Sequence, residues 1–211
     1  IMSDGYFFEP KTSEFLRNAK SASDLYGLKP IDDNDKWILD QVSLVKELVS
    51  SFGGEVLTFY NIFAPLMSFK WSIENGDKKI AEFIKEDKFA VIYALDVISQ
   101  NTQKLVNAVF SEGKVDGIYL SVQSVQDISV GPDTYHEVVS PSELSILTLA
   151  NSLSRTNILH VCGYQGKRNN LENYKNYPAK VINFASVVEG VTLEKGKKIF
   201  KDKAVIGGFD N

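Results

Sequence analysis

The stretch S-P-S-E-L-S-I-L-T-L-A-N-S-L-S-R-T-N-I-L-H-V-C-G, residues 140–163, decides the fold. Ser140 is a helix-capping residue type, Pro141 suits a first helical position, and Glu143, three residues after Ser140, completes the pattern of a capping box. Apolar residues then recur at Leu144, Leu147 and Leu153, so this part is expected to be helical. N-I-L-H-V-C-G (157–163) follows without a long break and reads as a strand closed by glycine. A helix leading directly into a strand with an apolar interior is the unit from which parallel α/β folds are built.

The same alternation extends in both directions. Upstream, IMSDGYFF (1–8) reads as a strand. Asp32 to Phe52 carries Ile38, Val42, Val45, Leu48, Val49 and Phe52 in helical rhythm and stops at Gly53-Gly54. VLTFYNIFAP (56–65) is a dense strand ending at proline. A second helical run shows Ile92, Leu95, Leu105, Val106, Val109 and Phe110 and stops at Gly113, and DGIYLSVQ (116–123) is the next strand. Downstream come a short polar helix around Leu171 and Tyr174, the strand VINFAS (181–186), a helix near 192–200 and the strand KAVIGGFD (203–210). Strand interiors apolar on both faces imply a parallel sheet covered by helices. About six βα units are expected, an incomplete slice of a (βα)8 TIM barrel forming one domain over 1–211 that is incomplete at both ends. An open doubly wound sheet is the rival. No G-x-G-x-x-G follows the first strand, so dinucleotide binding has no support.

Composition narrows the function classes. The chain has 211 residues, 44% hydrophobic and 24% charged, with a net charge of −4, which argues against a nucleic-acid partner that would need a basic stripe. No apolar run approaches the roughly 20 residues of a membrane span. The opening residues lack a basic n-region and carry Asp4, so no signal peptide is expected. A single cysteine fits a reducing compartment, and a cytoplasmic location is the expectation.

In a parallel barrel the chemistry sits at the C-terminal ends of the strands. That rule selects Asp4, Tyr60 to Pro65, Ser121 to Gln123, His160, Cys162, Asn183, Ser186 and Asp210. His160 and Cys162 stand first. On a strand, residues i and i+2 share a face about 6.6 Å apart, so an imidazole and a thiolate can converge on one zinc ion. With a third ligand and an open fourth position, such a zinc could hold a substrate thiol as its thiolate. The competing reading is a buried cysteine beside a hydrogen-bonded histidine, and no second cysteine is present to complete the set. Asp4 is either a carboxylate at the barrel mouth or a turn residue before Gly5. Asp210, after Gly207-Gly208, has the same two readings. His136, in GPDTYHE, is expected to be a solvated loop histidine, and Trp37 a core residue.

Taken in order, six pieces resemble the uroporphyrinogen decarboxylase family, which includes cobalamin-linked, zinc-dependent thiol methyltransferases. They are I-M-S-D-G-Y-F-F, G-G-E-V-L-T-F-Y-N-I-F-A-P-L, V-D-G-I-Y-L-S, I-L-H-V-C-G, V-I-N-F with L-E-K-G-K-K-I-F, and A-V-I-G-G-F-D. The resemblance covers nearly the whole chain and implies a (βα)8 barrel enzyme with its site at the C-terminal mouth. In the methyltransferase branch, H-x-C-G supplies two zinc ligands, which fall on His160 and Cys162, and the third is a cysteine beyond Asn211. The lead expectation is therefore zinc-dependent methyl transfer from a corrinoid-type donor to a thiol, with a methyl-corrinoid or a corrinoid protein as partner. Tyr60, Asn61, Gln123 and Asp210 would contact substrate. The alternative is metal-free decarboxylation of uroporphyrinogen III to coproporphyrinogen III, a lyase step of porphyrin synthesis on a tetrapyrrole substrate. The family's catalytic aspartate falls on Asp4. H-V-C-G, and Trp71 where the decarboxylases carry a tyrosine, depart from the decarboxylase pattern. A third reading is a corrinoid- or tetrapyrrole-binding module without catalysis.

Overall fold

The computed structural model describes residues 8–124, 131–163 and 167–208. Five strands form one wholly parallel sheet: β1 (Phe59–Phe63), β2 (Gly117–Val122), β3 (Ile158–Val161), β4 (Val181–Phe184) and β5 (Ala204–Ile206). Their spatial order is their chain order, β1-β2-β3-β4-β5. A doubly wound sheet reverses direction at a switch point, whereas here every new strand is added to the same edge, as in the wall of a barrel. The architecture is α/β, a slice of a (βα)8 barrel. The expected first strand falls almost wholly on residues 1–7, outside the described ones.

The helices are α1 (Pro10–Asn18), α2 (Lys36–Ser51), α3 (Pro65–Ser72), α4 (Gly76–Ser111), α5 (Pro132–Val138), α6 (Ser140–Leu153), α7 (Ser186–Glu189) and α8 (Leu193–Ile199), with 3-10 turns at Ala22–Gly27 and Leu171–Tyr174. α2 begins where the Asp35 carboxylate accepts a hydrogen bond from the Trp37 amide at 2.9 Å, capping an otherwise orphan donor. α4 breaks at Asp87 (φ −155°, ψ 97°), whose carboxylate caps Phe89 N at 2.9 Å and restarts the helix. α3 is absent from the sequence expectations because it has no polar stripe: Pro65, Leu66, Met67, Phe69, Lys70 and Ser72 are all buried.

Alternation along the strands divides the sheet into two unlike faces. Ile118, Leu120, Val122, Leu159, Val161, Ile182 and Phe184 are buried in the hydrophobic core. Each such side chain contributes on the order of 1.5–3 kcal/mol by leaving water. The alternating residues Tyr119, Ser121, His160 and Asn183 occupy the other face. The expectation of strands apolar on both faces therefore holds on the helix side alone.

The N-terminal signal of α6 is also read differently in three dimensions. α5 runs straight into α6, so the residue before Ser140, Val139, is already in the helical region (φ −102°, ψ −50°) and no side chain caps the helix. Freed from capping, Glu143 turns inward and accepts hydrogen bonds from Tyr135 and Tyr177. His136 lies on α5 rather than in a loop, exposed as expected, with Nδ1 3.3 Å from Ser140 Oγ. Among the described residues no helix is long and apolar enough to cross a membrane.

Candidate functional site at the strand ends

His160 is the third residue of β3, and in the parallel register it stands level with Ser121 of β2 and Asn183 of β4. Because all three share one parity, their side chains emerge on the same face. The ring of Tyr119 stacks on the His160 ring with centroids 5.0 Å apart and planes inclined by 26°. Asn183 ties the group together. Its Nδ2 donates to the Ile206 carbonyl at 3.2 Å, which turns Oδ1 toward β3 and β2. There it accepts from the Tyr119 hydroxyl at 2.7 Å and from His160 Nδ1.

This arrangement assigns the histidine tautomer. With Nδ1–H donating to the Asn183 carbonyl oxygen, Nε2 carries the lone pair. Burial depresses the His160 pKa, with the Asn183 bonds partly opposing it, so the ring is held neutral near neutral pH. A neutral imidazole oriented through its other nitrogen is the state in which histidine binds a metal.

Cys162 lies one residue past the end of β3. Its amide donates to Val122 O at 2.9 Å, extending the ladder by one step and keeping the thiol on the His160 face. Its carbonyl is clasped by Gln123 Nε2 at 2.9 Å and by Asn169 Nδ2 at 3.0 Å. Asn169 is itself anchored by the buried Glu189, at 2.7 Å from both its amide nitrogen and its Nδ2. Gly163 completes the motif for a steric reason: a Cβ there would meet Glu189 Oε1 at 2.6 Å. Burial raises the Cys162 pKa, the nearby Lys70 ammonium lowers it, and Glu189 raises it again. Tyr119 is pushed up to about 12, mainly by burial and further by the nearby Cys162 sulfur.

The residues expected from the sequence fall into three groups. His160, Cys162, Gln123, Ser121 and Asn183 are brought together. Asn61 shares their face at the sheet edge, with Oδ1 accepting from Ser121 Oγ at 3.2 Å, while Ser186 opens α7. Tyr60 has the opposite parity. It leaves the sheet toward α2, where its hydroxyl donates to Gln41 Oε1 at 2.6 Å, so the structure parts it from His160 and Cys162. Asp4 and Asp210 lie outside the described residues. Trp71 is exposed at the same end of the sheet and packs on Phe63 with ring centroids 4.9 Å apart.

Sequence reasoning missed Tyr119, Lys70, Asn169 and Glu189. Counting back by two from Ser121 would have found Tyr119, and a lone cation inside the apolar run P-L-M-S-F-K-W-S was a visible signal for Lys70. Nothing local marked Asn169 or Glu189. As a metal centre, the group provides two donors of suitable chemistry, His160 Nε2 and Cys162 Sγ. Among the described residues no cluster of three His, Cys, Asp or Glu side chains forms.

No family model matches the sequence, and no curated protein matches it. A solved structure, a methyltransferase from Methanosarcina mazei, is similar in fold, with a TM-score of 0.69 over 90% of this chain. The identity is 16%, and the match takes in 54% of that methyltransferase chain, so this chain spans about half its length. At that identity the likeness establishes the architecture alone.

Proposed function

We propose that the chain carries part of the catalytic barrel of a methyltransferase, with His160 and Cys162 as two ligands of a zinc ion. On this reading it transfers a methyl group from a corrinoid-type donor to a thiol. The observation that carries the reading is the Asn183 bond to His160 Nδ1, which leaves a neutral Nε2 on the face it shares with the Cys162 thiol. The fold likeness to a methyltransferase agrees with it. When bound, zinc would supply Lewis-acid chemistry, favouring the thiolate form of an acceptor thiol. His160 would offer Nε2, with its orientation held through Asn183 and Tyr119. Cys162 would offer its sulfur from a backbone fixed by Gln123 and Asn169. The aromatic face of Tyr119 would shield the imidazole from water on one side.

Cobalt(II) titration of the protein tests the ligand pair, because a thiolate ligand gives an intense near-ultraviolet charge-transfer band. The band is expected in the wild type and absent in Cys162→Ser. Methyl transfer from methylcobalamin to a small thiol is expected to fall at least about a hundredfold in the same variant. Full methyl-transfer activity in Cys162→Ser, or a metal-bound protein whose spectrum ignores substitution of either ligand, would sink the reading.

A further inference from the structure

Next to the strand ends, between α3, the start of α4 and β2, lies a cleft of about 400 Å³. Its lining includes Lys70, Trp71, Asp77, Lys78, Gln123 and Lys167. The chain as a whole carries −4, yet this cleft gathers lysines around one carboxylate. Asp77 is shared: Oδ1 lies 3.0 Å from Lys70 Nζ and Oδ2 lies 2.7 Å from Lys167 Nζ. One carboxylate against two ammonium groups leaves a net positive charge facing the cleft. Lys78 stands at the rim, 3.8 Å from Glu82.

Lys70 is the unusual member. Its side chain is only 6% exposed, and a buried ammonium is costly unless its donors are met. Of its three N–H groups, Asp77 Oδ1 and Gln123 Oε1 take two among the described residues. The third remains for a group entering the cleft. The floor is tight, because Gly76 starts α4 directly on the Lys70 backbone, where a Cβ would come within 1.9 Å of the carbonyl oxygen. Trp71, 43% exposed and packed on Phe63, forms a side wall.

We propose that this cleft is a binding site for a small anionic group, a carboxylate or a phosphate, held by Lys70 and Lys167 against Trp71. Gln123 joins the cleft to the strand ends, since the same amide that accepts from Lys70 donates to the Cys162 carbonyl. An anion bound there lies beside the His160 and Cys162 face. Its identity as the charged end of the substrate rests on the methyl-transfer reading, whereas anion binding itself does not.

Trp71 and Trp37 are the two tryptophans of the chain, so a Trp37→Phe background makes emission report on the cleft. In that background, inorganic phosphate and acetate are titrated separately at constant ionic strength with a chelator present. A saturable change in Trp71 emission with either probe is expected, weakened at least tenfold in Lys167→Gln and abolished in Lys70→Gln. The tighter probe identifies the ligand class. Should Lys70→Gln lose its fold by circular dichroism, the double variant Lys167→Gln with Lys78→Gln, both exposed positions, carries the test with the same tenfold criterion. His160→Ala with Cys162→Ser is expected to leave anion affinity unchanged while removing metal binding, which separates failure of this site from failure of the metal reading. An emission change that never saturates, or equal affinity in wild type and the lysine variants, would overturn the proposal.

Discussion

Two polar clusters in this protein, one buried and one half-buried, use the same ingredients to opposite ends. Under α5 and α6, the Glu143 carboxyl group accepts from the Tyr135 hydroxyl at 2.9 and 3.0 Å and from the Tyr177 hydroxyl at 2.6 Å. Tyr174 closes the group at 2.8 Å from Tyr135. At the strand ends, His160, Tyr119 and Asn183 form a similar knot, but His160 Nε2 and the Cys162 thiol remain outside it. The first cluster is buried, with the Tyr135 and Tyr177 hydroxyls both aimed at the one carboxyl group. The second uses only what orients its members. The candidate site is the half-buried cluster, and it keeps hydrogen-bonding capacity left over once its side chains are fixed.

Substitutions can break that contrast. Glu143→Ala should be the most damaging, because it opens a cavity and strands buried tyrosine hydroxyls. A loss of about 3–5 kcal/mol is expected in urea unfolding. A variant that retains wild-type stability would show the cluster to be idle. The same carboxyl gives a pH signature. Burial raises Glu143 from 4.5 to about 8, so the folded state holds a proton that the unfolded state releases. Its contribution is full below pH 4.5 and is lost as pH rises to about 8, on the order of a few kcal/mol. Glu143→Gln, which cannot ionise, should flatten that segment of the stability profile.

At the strand ends the losses should appear in binding rather than folding. Asn183→Ala frees the His160 tautomer and should weaken cobalt(II) affinity about ten- to a hundredfold. Its unfolding midpoint should move far less than that of Glu143→Ala. Equal destabilisation by the two would erase the contrast between the clusters. Tyr60→Phe is expected to have the smallest effect. It removes the hydroxyl bonded to Gln41 on the helix side, at a cost of about 1 kcal/mol, and should leave metal binding untouched. A changed metal affinity would mean that the two sheet faces are coupled.

Much of the architecture was legible along the chain. The helices at 36–51 and 140–153 and the strands at 59–63, 117–122, 158–161, 181–184 and 204–206 lie within the expected segments, because amphipathic period and terminal glycines are local signals. α1 and α3 escaped, one for its polarity and the other because it is buried on nearly every side. Ser140 and Glu143 matched a capping box, yet α5 occupies the space that the cap needs and the tyrosines claim the carboxylate. Such competition depends on neighbours distant in sequence.

Local patterns along the chain are enough to establish that strands and helices alternate, and that His160 and Cys162 leave a strand end on one side, since a period of two is a property of the backbone. Which groups surround them follows from packing in space. Only the register of β2, β3 and β4 places Tyr119 and Asn183 against His160 and so chooses its tautomer. Only the packing of α3 on the sheet brings Lys70 to Gln123. Hydrogen bonds and charges act over a few ångströms in space, and chain separations of 23 and 53 residues carry no local trace of them.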